Sequence, residues 1–327
     1  ALREHGVTTA VANERCRPGG PWQMPLPGVY VLHAGPPTSD ERLRAVLLYA
    51  GRQLIPPQPR PEDGHDGGDG GAEESLPRGC VVMITGLAAL ALHGFSSAPP
   101  LRSLDQLDVL VPRTRRLRSH GCARVVRDEQ PPEPEQVTGL PVAPVPRALA
   151  DAVLRLTDAV TVRRLLTEAV RGGHCEAQAV VRELTRARLL ASPHVVDAVD
   201  ALLAEGRALA EGSLYAMVRC HDLPDPCWNV DLRLPGGPHL GGVDAFWPDH
   251  GVALELDTRA PRHQQSGAQW SSLARKRQAL EEIGVAVVHL TPKRLRESLE
   301  SQAAIVRTAL VTSAERAPAE YVVVSPR

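Results

Sequence analysis

The amino-acid sequence predicts an α+β protein with more than one domain. The chain has 327 residues, and because domains usually hold roughly 100–150 residues, at least two hydrophobic cores are expected. Short β-branched runs alternate with segments of helical periodicity along most of the chain. Residues 56–79 are rich in Pro, Gly and Asp and have almost nothing to bury, so we expect a disordered insert there.

Composition excludes membrane and disulfide-framework classes. Hydrophobic residues make up 43% and charged residues 23% of the chain, which are globular values, and no apolar run approaches the roughly 20 residues of a membrane span. The six cysteines are scattered without a CxxC pair, which favours reduced thiols and a cytoplasmic location. The formal net charge of −1 means that any nucleic-acid contact must come from local basic patches.

Residues 1–55 are predicted to form a winged-helix-like region. A threonine can cap a short helix over residues 8–16, and PGGPW then forces a turn. Two short strands, around residues 22–24 and over residues 28–33, flank a PLP turn. A second helix follows from about residue 40 to residue 51. This order is that of the back half of a winged helix-turn-helix, whose earlier helices would lie upstream of residue 8.

Residues 80–204 are predicted to begin as an α/β segment and to continue as a helical middle region. Thr85 can cap a short apolar helix that ends near Gly94. The runs LDVLVP and ARVVR predict two strands, and a helix begins near Pro146. Three amphipathic helices are then expected over residues 161–171, 177–188 and 194–209.

A basic turn follows the strand LDVLVP. Its arginines are Arg113, Arg115, Arg116 and Arg118. Guanidinium groups at this density suit phosphate contacts, whereas a charge run on a turn is more often a solvated face. Both interpretations stay open from the sequence.

Residues 205–305 are predicted to form a compact α/β domain with a mixed sheet. A helix opens at Glu211, and a strand follows near residues 228–234. GVDAFW and VALELD predict a hairpin, and a helix over about residues 268–283 then leads to the buried strand VAVVHL. A last helix starts at Pro292. This αβββαβ order packs as a sheet flanked by helices, and residues 306–327 remain as a C-terminal extension.

The hairpin predicts a cluster of carboxylates. If Trp247 faces Val252, then Asp244 lies opposite Glu255, where partner Cβ atoms are roughly 4.5–5.5 Å apart. Asp257, two residues further on, points to the same face. The sequence therefore predicts three acids gathered on one face of the sheet.

These acids require a positive neutraliser, since like charges placed opposite each other are destabilising. Magnesium or manganese is one candidate, because hard divalent cations prefer carboxylate oxygens and can activate a water. Pairing with a basic side chain of the next helix is the alternative; the candidates there are Arg275, Lys276 and Arg277.

The last third of the chain resembles a known family. The motifs EGSL, VDAFWP, ELD and VAVVHLT are together similar to the very-short-patch-repair-endonuclease-like branch of the restriction-endonuclease (PD-(D/E)XK) superfamily, over about residues 205–300. The resemblance implies a restriction-endonuclease-like fold and a possible metal-dependent deoxyribonuclease. The acids that carry over are Glu211, Asp244, Glu255 and Asp257 for catalysis, the last three as metal ligands.

The resemblance departs from the family at one catalytic position. Many relatives carry an ExK lysine where this chain has Asp257. Lys276 or His263 would therefore have to serve in its place.

The front of the chain resembles a second group. GVTTAVANERC, TGLAALALHGF, DVLVPRTRR and GLPVAPVPRALADAV occur in the order found in actinobacterial proteins that join an AbiEi antitoxin-like winged helix to a nuclease-like domain. In that family the winged helix binds DNA. The resemblance thus implies nucleic-acid contacts for Asn13, Arg15 and Arg17, near the end of the would-be recognition helix.

Two functions are expected from these patterns. The first is a DNA-binding protein whose nuclease-like domain hydrolyses phosphodiesters with Mg or Mn. The second is a non-catalytic regulator or antitoxin-like protein that uses a degenerate nuclease fold as a scaffold. DNA is the expected partner, with a toxin-like protein or a second copy as the protein partner, and no membrane.

Overall fold

A computed structural model describes residues 5–51, 82–258, 266–314 and 322–327. The chain is α+β with mixed sheets, as predicted, and divides into two compact units, Ala1–Thr157 (unit 1) and Asp158–Arg327 (unit 2). Within the described ranges, every helix is too short or too polar to cross a bilayer. The predicted insert over residues 56–79 lies outside them.

The N-terminal elements of unit 1 follow the predicted order. They are the helix α1 (Thr9–Arg15), the antiparallel strands β1 (Gln23–Leu26) and β2 (Val29–Val31), and the helix α2 (Ser39–Gly51). The Thr8 side chain accepts a hydrogen bond from the Val11 amide at 3.3 Å, so it caps α1 as expected. A short helix, a two-stranded hairpin and a longer helix are therefore present in this order.

The rest of unit 1 is a five-stranded mixed sheet with helices. Its elements are β3 (Met83–Thr85), α3 (Gly86–Leu92), β4 (Leu107–Pro112), β5 (Ala123–Asp128), β6 (Glu135–Val137), β7 (Leu140–Val142) and α4 (Val145–Val153). The strand order is β5-β4-β3-β7-β6, with β4/β5 and β3/β7 parallel. Since α2 and α3 both contact β4, its run LDVLVP is almost entirely buried.

One expected helix cap is wrong. Thr85 precedes α3 but makes no side-chain cap hydrogen bond. Its hydroxyl instead donates to Asp151 Oδ2 at 2.6 Å, because Thr85 is fully buried and a buried hydroxyl needs a partner.

Unit 2 begins with three helices: α5 (Ala159–Arg171), α6 (Ala177–Arg186) and α7 (Pro193–Cys220). The sequence predicts an interruption near residues 209–211, whereas α7 runs unbroken through it and through the expected domain boundary at residues 204–205. Gly206 and Gly212 each weaken a helix by about 1 kcal/mol, which is too little to end one that has buried residues both before and after these glycines. Gly206 also allows close packing, since a Cβ there would lie 3.1 Å from Ala177 Cβ.

The sheet of unit 2 is mixed, as predicted. Its strands are β8 (Cys227–Arg233), β9 (His239–Trp247), β10 (Val252–Leu256), β11 (Ala286–Leu290) and β12 (Val323–Pro326), in the order β11-β10-β9-β8-β12. Only the β10/β11 pairing of this sheet is parallel among its described strands. The remaining helices are α8 (Ser266–Glu282), α9 (Pro292–Glu297) and α10 (Leu299–Ala314).

The predicted C-terminal extension contains regular structure. Much of α10 lies within it, and β12 pairs antiparallel with β8. A four-residue strand has too little local signal to be recognised without its partner, since β preference depends on neighbouring strands.

Two hydrophobic clusters position the predicted site residues of unit 2. One joins α7 and α10 to the sheet and includes Leu214, Trp247 and Val306. The other includes Phe246 of the sheet and Leu280 of α8. Strands β9 and β10 supply side chains to both clusters, so polar groups on these strands are held between packed helices.

Candidate functional site

The hairpin of β9 and β10 has the predicted register. Trp247 pairs with Val252, Phe246 with Ala253 and Ala245 with Leu254. The prediction that Trp247 faces Val252 is therefore confirmed. Asp244 and Glu255 are the next residues on the two strands, moving away from the turn.

Asp244 is a buried carboxylate with both oxygens engaged. It is 8% exposed. Its Oδ1 accepts a hydrogen bond from Arg207 Nη2 at 2.8 Å, and its Oδ2 accepts one from the Leu256 amide at 2.7 Å. The carboxylate thus links α7 to the end of β10.

Arg207 connects Asp244 with Glu211. Its Nε donates to Glu211 Oε1 at 2.7 Å while its Nη2 contacts Asp244. One guanidinium therefore neutralises two of the predicted catalytic acids. Sequence reasoning did not select Arg207: its spacing four residues before Glu211 was readable as a helical ion pair, but its contact with a strand 37 residues away was not.

Glu255 has a different neutraliser. Lys276 Nζ contacts Glu255 Oε1 and also donates to Gly242 O at 2.5 Å. His289, the strand partner of Glu255 in β11, has its Nδ1 3.5 Å from Oε2. Gly241 makes room for the lysine, because a Cβ there would lie 2.8 Å from Lys276 Cε.

The remaining predicted residues of this site are not brought into a metal-binding group. Asp257 is exposed, and its main chain bonds to Leu290 and Gln178. His263 lies outside the described residues. In the described part of the chain, no three His, Cys, Asp or Glu side chains are grouped so that they could hold a metal ion.

The predicted magnesium or manganese site does not fit these residues as they stand. Both oxygens of Asp244 are engaged, and the carboxylates of Glu211 and Glu255 each contact a cationic side chain. A divalent ion would have to displace a guanidinium or an ammonium to reach them. The arrangement matches the alternative of ionic pairing, with Lys276 as one of the cations named for it and Arg207 as an additional one.

Unit 1 contains a second arginine-centred network. Arg147 Nε donates to Asp151 Oδ2 at 3.0 Å, and its Nη1 contacts Asp128 Oδ2. The side chains of Arg147, Asp128 and Asp151 are only 12%, 10% and 8% exposed. Burial raises the pKa of the Asp151 carboxyl, and hydrogen bonds from Arg147 and Thr85 partly offset this effect.

A bidentate pair lies beside this network. Asp108 of β4 and Arg124 of β5 are strand partners, and Arg124 Nη2 donates to Asp108 Oδ2 at 2.8 Å while its Nε contacts Oδ1. The hydrogen bonds to Asp108 raise the pKa of Arg124. Gly86, at φ +62°, is required here because a Cβ would lie 2.7 Å from Asp108 Oδ2.

The predicted nucleic-acid residues in and just after α1 differ in their surroundings. Asn13 Oδ1 accepts a hydrogen bond from the Tyr30 hydroxyl at 3.0 Å, and the Arg15 guanidinium stacks on Trp22 at 4.6 Å from the ring centroid. Arg17 is 74% exposed and only 3.8 Å from a Glu14 oxygen. Arg17 lies two residues beyond the end of α1, and its side chain is available for a phosphate contact.

The basic turn after β4, residues 113–119, is here called the basic loop. Its main chain is held at several points: the Tyr49 hydroxyl donates to Arg118 O at 2.8 Å, Arg127 Nη2 contacts Leu117 O, and the Val125 amide donates to Ser119 Oγ at 3.0 Å. These contacts come from α2 and β5. The loop therefore has a fixed course between the two elements.

The four arginines of the basic loop take different directions. Arg115 Nη2 donates to Ala50 O near the end of α2 at 2.5 Å, so this side chain helps to hold the loop. Arg113 contacts Glu129, and both side chains are about 70% exposed. Arg116 and Arg118 are exposed, which leaves them as the predicted phosphate contacts with the freest approach.

Comparison of the chain with protein-family models, curated proteins and solved structures gave no match. The candidate sites therefore rest on the residues of this chain alone. Sequence reasoning missed five residues of these sites, each of which has at least one partner ten or more residues away: Arg207, His289, Arg147, Tyr49 and Arg127.

Proposed function

We propose that the protein binds DNA through the basic loop of unit 1 and that unit 2 is a nuclease-like scaffold without metal-dependent catalysis. The observation that carries DNA binding is the anchored course of the basic loop, on which Arg116 and Arg118 are exposed. The observation that favours a scaffold is the neutralisation of the acids by Arg207 and Lys276.

An anchored loop is well suited to phosphate contacts. Ordering a flexible arginine-bearing loop on binding would cost conformational entropy for each residue fixed. Here Tyr49, Arg127 and Arg115 already hold the loop. The exposed guanidinium groups would therefore meet the phosphates with little further backbone ordering.

The hairpin of the winged-helix-like region lies next to the basic loop. Gly121, just after the loop, is so close to β1 that a Cβ would lie 3.3 Å from Pro25 O and 3.4 Å from Leu26 Cδ2. The proximity supports a DNA-binding surface that extends from the basic loop towards the hairpin, with Arg17 as a further phosphate contact.

The test is DNA binding by fluorescence anisotropy with a labelled duplex at several salt concentrations. Arg116→Gln/Arg118→Gln should weaken binding to all sequences and reduce the slope of log K against log[salt] by about 0.9 for each lost phosphate contact. The matched control is Arg163→Gln/Arg164→Gln, which removes the same charge from two exposed arginines of α5.

The two double variants separate a local contact from a general charge effect. Equal losses would show that only net charge matters and would remove the basic loop from the proposal. Unchanged slopes in both would contradict DNA binding through this loop.

Metal-dependent cleavage stays a prediction with its own assay. Nicking of supercoiled plasmid in manganese buffer, abolished by Asp244→Asn, would overturn the scaffold part of the proposal. An absence of nicking with protein in molar excess over the plasmid would agree with the scaffold part of the proposal.

A further inference from the structure

We infer that Arg207 is a built-in cation that holds the place of a divalent metal between Glu211 and Asp244, so that removing its charge creates a metal site. The inference concerns unit 2 alone and does not rest on DNA binding by the basic loop.

The geometry shows that Glu211 and Asp244 share one cation. Arg207 Nε and Nη2 contact the two carboxylates at 2.7 and 2.8 Å. The forked guanidinium can reach two acceptors at once because its donors are fixed in a plane. The carboxylates are therefore close enough to be bridged by a single planar group.

Without that cation two neighbouring carboxylates would lose their common counter-charge, and one of them, Asp244, is largely buried. The side chains of Asp244 and Glu211 are 11% and 25% exposed. Adjacent like charges with little solvation are unfavourable, so a cation from solution would be attracted to the space left by the guanidinium. Two carboxylates with several waters are a common coordination for magnesium and its close analogue manganese.

The other cation of this region does not relieve that repulsion. Lys276 is engaged with Glu255 and with Gly242 O. It would keep Glu255 neutralised when Arg207 is changed. The negative charge left without a partner is therefore confined to Glu211 and Asp244.

Arg207 can be replaced with little expected damage to the fold. Its side chain is 43% exposed and that of Glu211 is 25% exposed, so the loss falls mainly on the buried Asp244. Asp244 also keeps its hydrogen bond from the Leu256 amide. We therefore expect Arg207→Gln to fold, as circular dichroism and the thermal midpoint would report.

The experiment is calorimetric titration of MnCl₂ into the full chain, with manganese EPR as a second readout. Arg207→Gln should bind one manganese ion at least about tenfold more tightly than the wild type, a difference of about 1.4 kcal/mol. Arg207→Lys should remain like the wild type because it keeps a positive charge. The double variant Arg207→Gln/Asp244→Asn tests whether Asp244 is a ligand of the new site, which it should lose.

Arg171→Gln is the matched control. Arg171 forms a bidentate pair with Glu205 on the same unit, at 2.6 and 3.0 Å, but contacts no predicted catalytic acid. Its manganese binding should equal that of the wild type. A gain in this variant would show that any lost arginine increases metal binding, and would overturn the assignment to Arg207.

A second variant guards against loss of structure. Arg207→Ala should bind manganese in the same way, and millimolar ethylguanidinium, which restores the missing group, should compete with the metal. Wild type that binds manganese as tightly as Arg207→Gln would overturn the inference, as would folded Arg207 variants that bind no more metal than the wild type.

Discussion

Two arginines, one in each unit, form the same kind of bridge with opposite degrees of burial. Each pairs with an acid four residues later on its own helix and with an aspartate of a strand. The partners are Asp151 and Asp128 for Arg147, and Glu211 and Asp244 for Arg207. The side chain of Arg147 is 12% exposed, whereas that of Arg207 is 43% exposed.

The difference in burial separates a structural role from an exchangeable one. A buried charge that loses its partner remains away from water and is strongly destabilising. A half-exposed guanidinium can be replaced by water or by another cation at small cost. Arg147 is therefore expected to be fixed in the core of unit 1, while Arg207 holds carboxylates that other cations can approach.

The largest expected effect is on Arg147. Arg147→Met leaves Asp128 and Asp151 without their common cation in a buried position, so the free energy of unfolding should fall by about 3–5 kcal/mol. Arg207→Gln should cost less, about 1–2 kcal/mol, because Glu211 is in contact with water and Asp244 keeps its hydrogen bond from the Leu256 amide. Urea unfolding followed by circular dichroism measures both. Equal losses of stability in the two variants would contradict the conclusion that the more buried arginine contributes more.

Substitution of Lys276 should cause a loss of stability between those of the two arginine variants. Lys276 and Glu255 are 16% and 13% exposed, and removing a hydrogen bond to a charged, partly buried group typically costs about 1.5–3 kcal/mol. Lys276→Met should therefore lower stability by about 2 kcal/mol. Arg277→Met is the control, because its pair with Glu281 is roughly half exposed; an equal loss there would show that the helix itself, and not Glu255, is responsible.

The buried network should also make stability depend on pH through Asp151. Burial raises the pKa of this carboxyl, so the folded state holds the proton more tightly than the unfolded state. The contribution of Asp151 to stability therefore falls as pH rises above the unfolded value of about 3.9, up to the raised folded pKa. Compared with Asp151→Asn, the wild type should lose stability over that range in urea titrations; a wild type that gains stability relative to the variant would contradict the sign.

The smallest effect is expected for the exposed pair of Arg171 and Glu205. The hydrogen bond from Arg171 lowers the pKa of Glu205. Any stability it contributes is present above the unfolded glutamate value of about 4.3 and is lost as pH falls through the lowered folded pKa. Because the arginine is 65% exposed, Arg171→Gln should leave the unfolding midpoint at neutral pH almost unchanged. A large shift of the unfolding midpoint would mean that the exposure of an ion pair does not predict its contribution to stability.

Local patterns predicted most of the helices and strands. Thr8 marks the start of α1, and the alternation around Trp247 and Val252 gives the register of the β9/β10 hairpin. These features depend on neighbouring residues, so a window of the sequence contains the information. Elements whose signal is weak within such a window were missed or broken, as with β12 and the expected interruption in α7.

The sequence by itself determined the fold class, the mixed sheet of unit 2 and the acids that lie on its hairpin. Only the tertiary structure decided what neutralises them, since Arg207 and Lys276 reach their carboxylates from helices 37 and 21 residues away in sequence. Periodicity shows which face of an element a side chain occupies. Charge pairing depends instead on which side chains packing brings within about 4 Å of one another, and that distance is set by the whole fold.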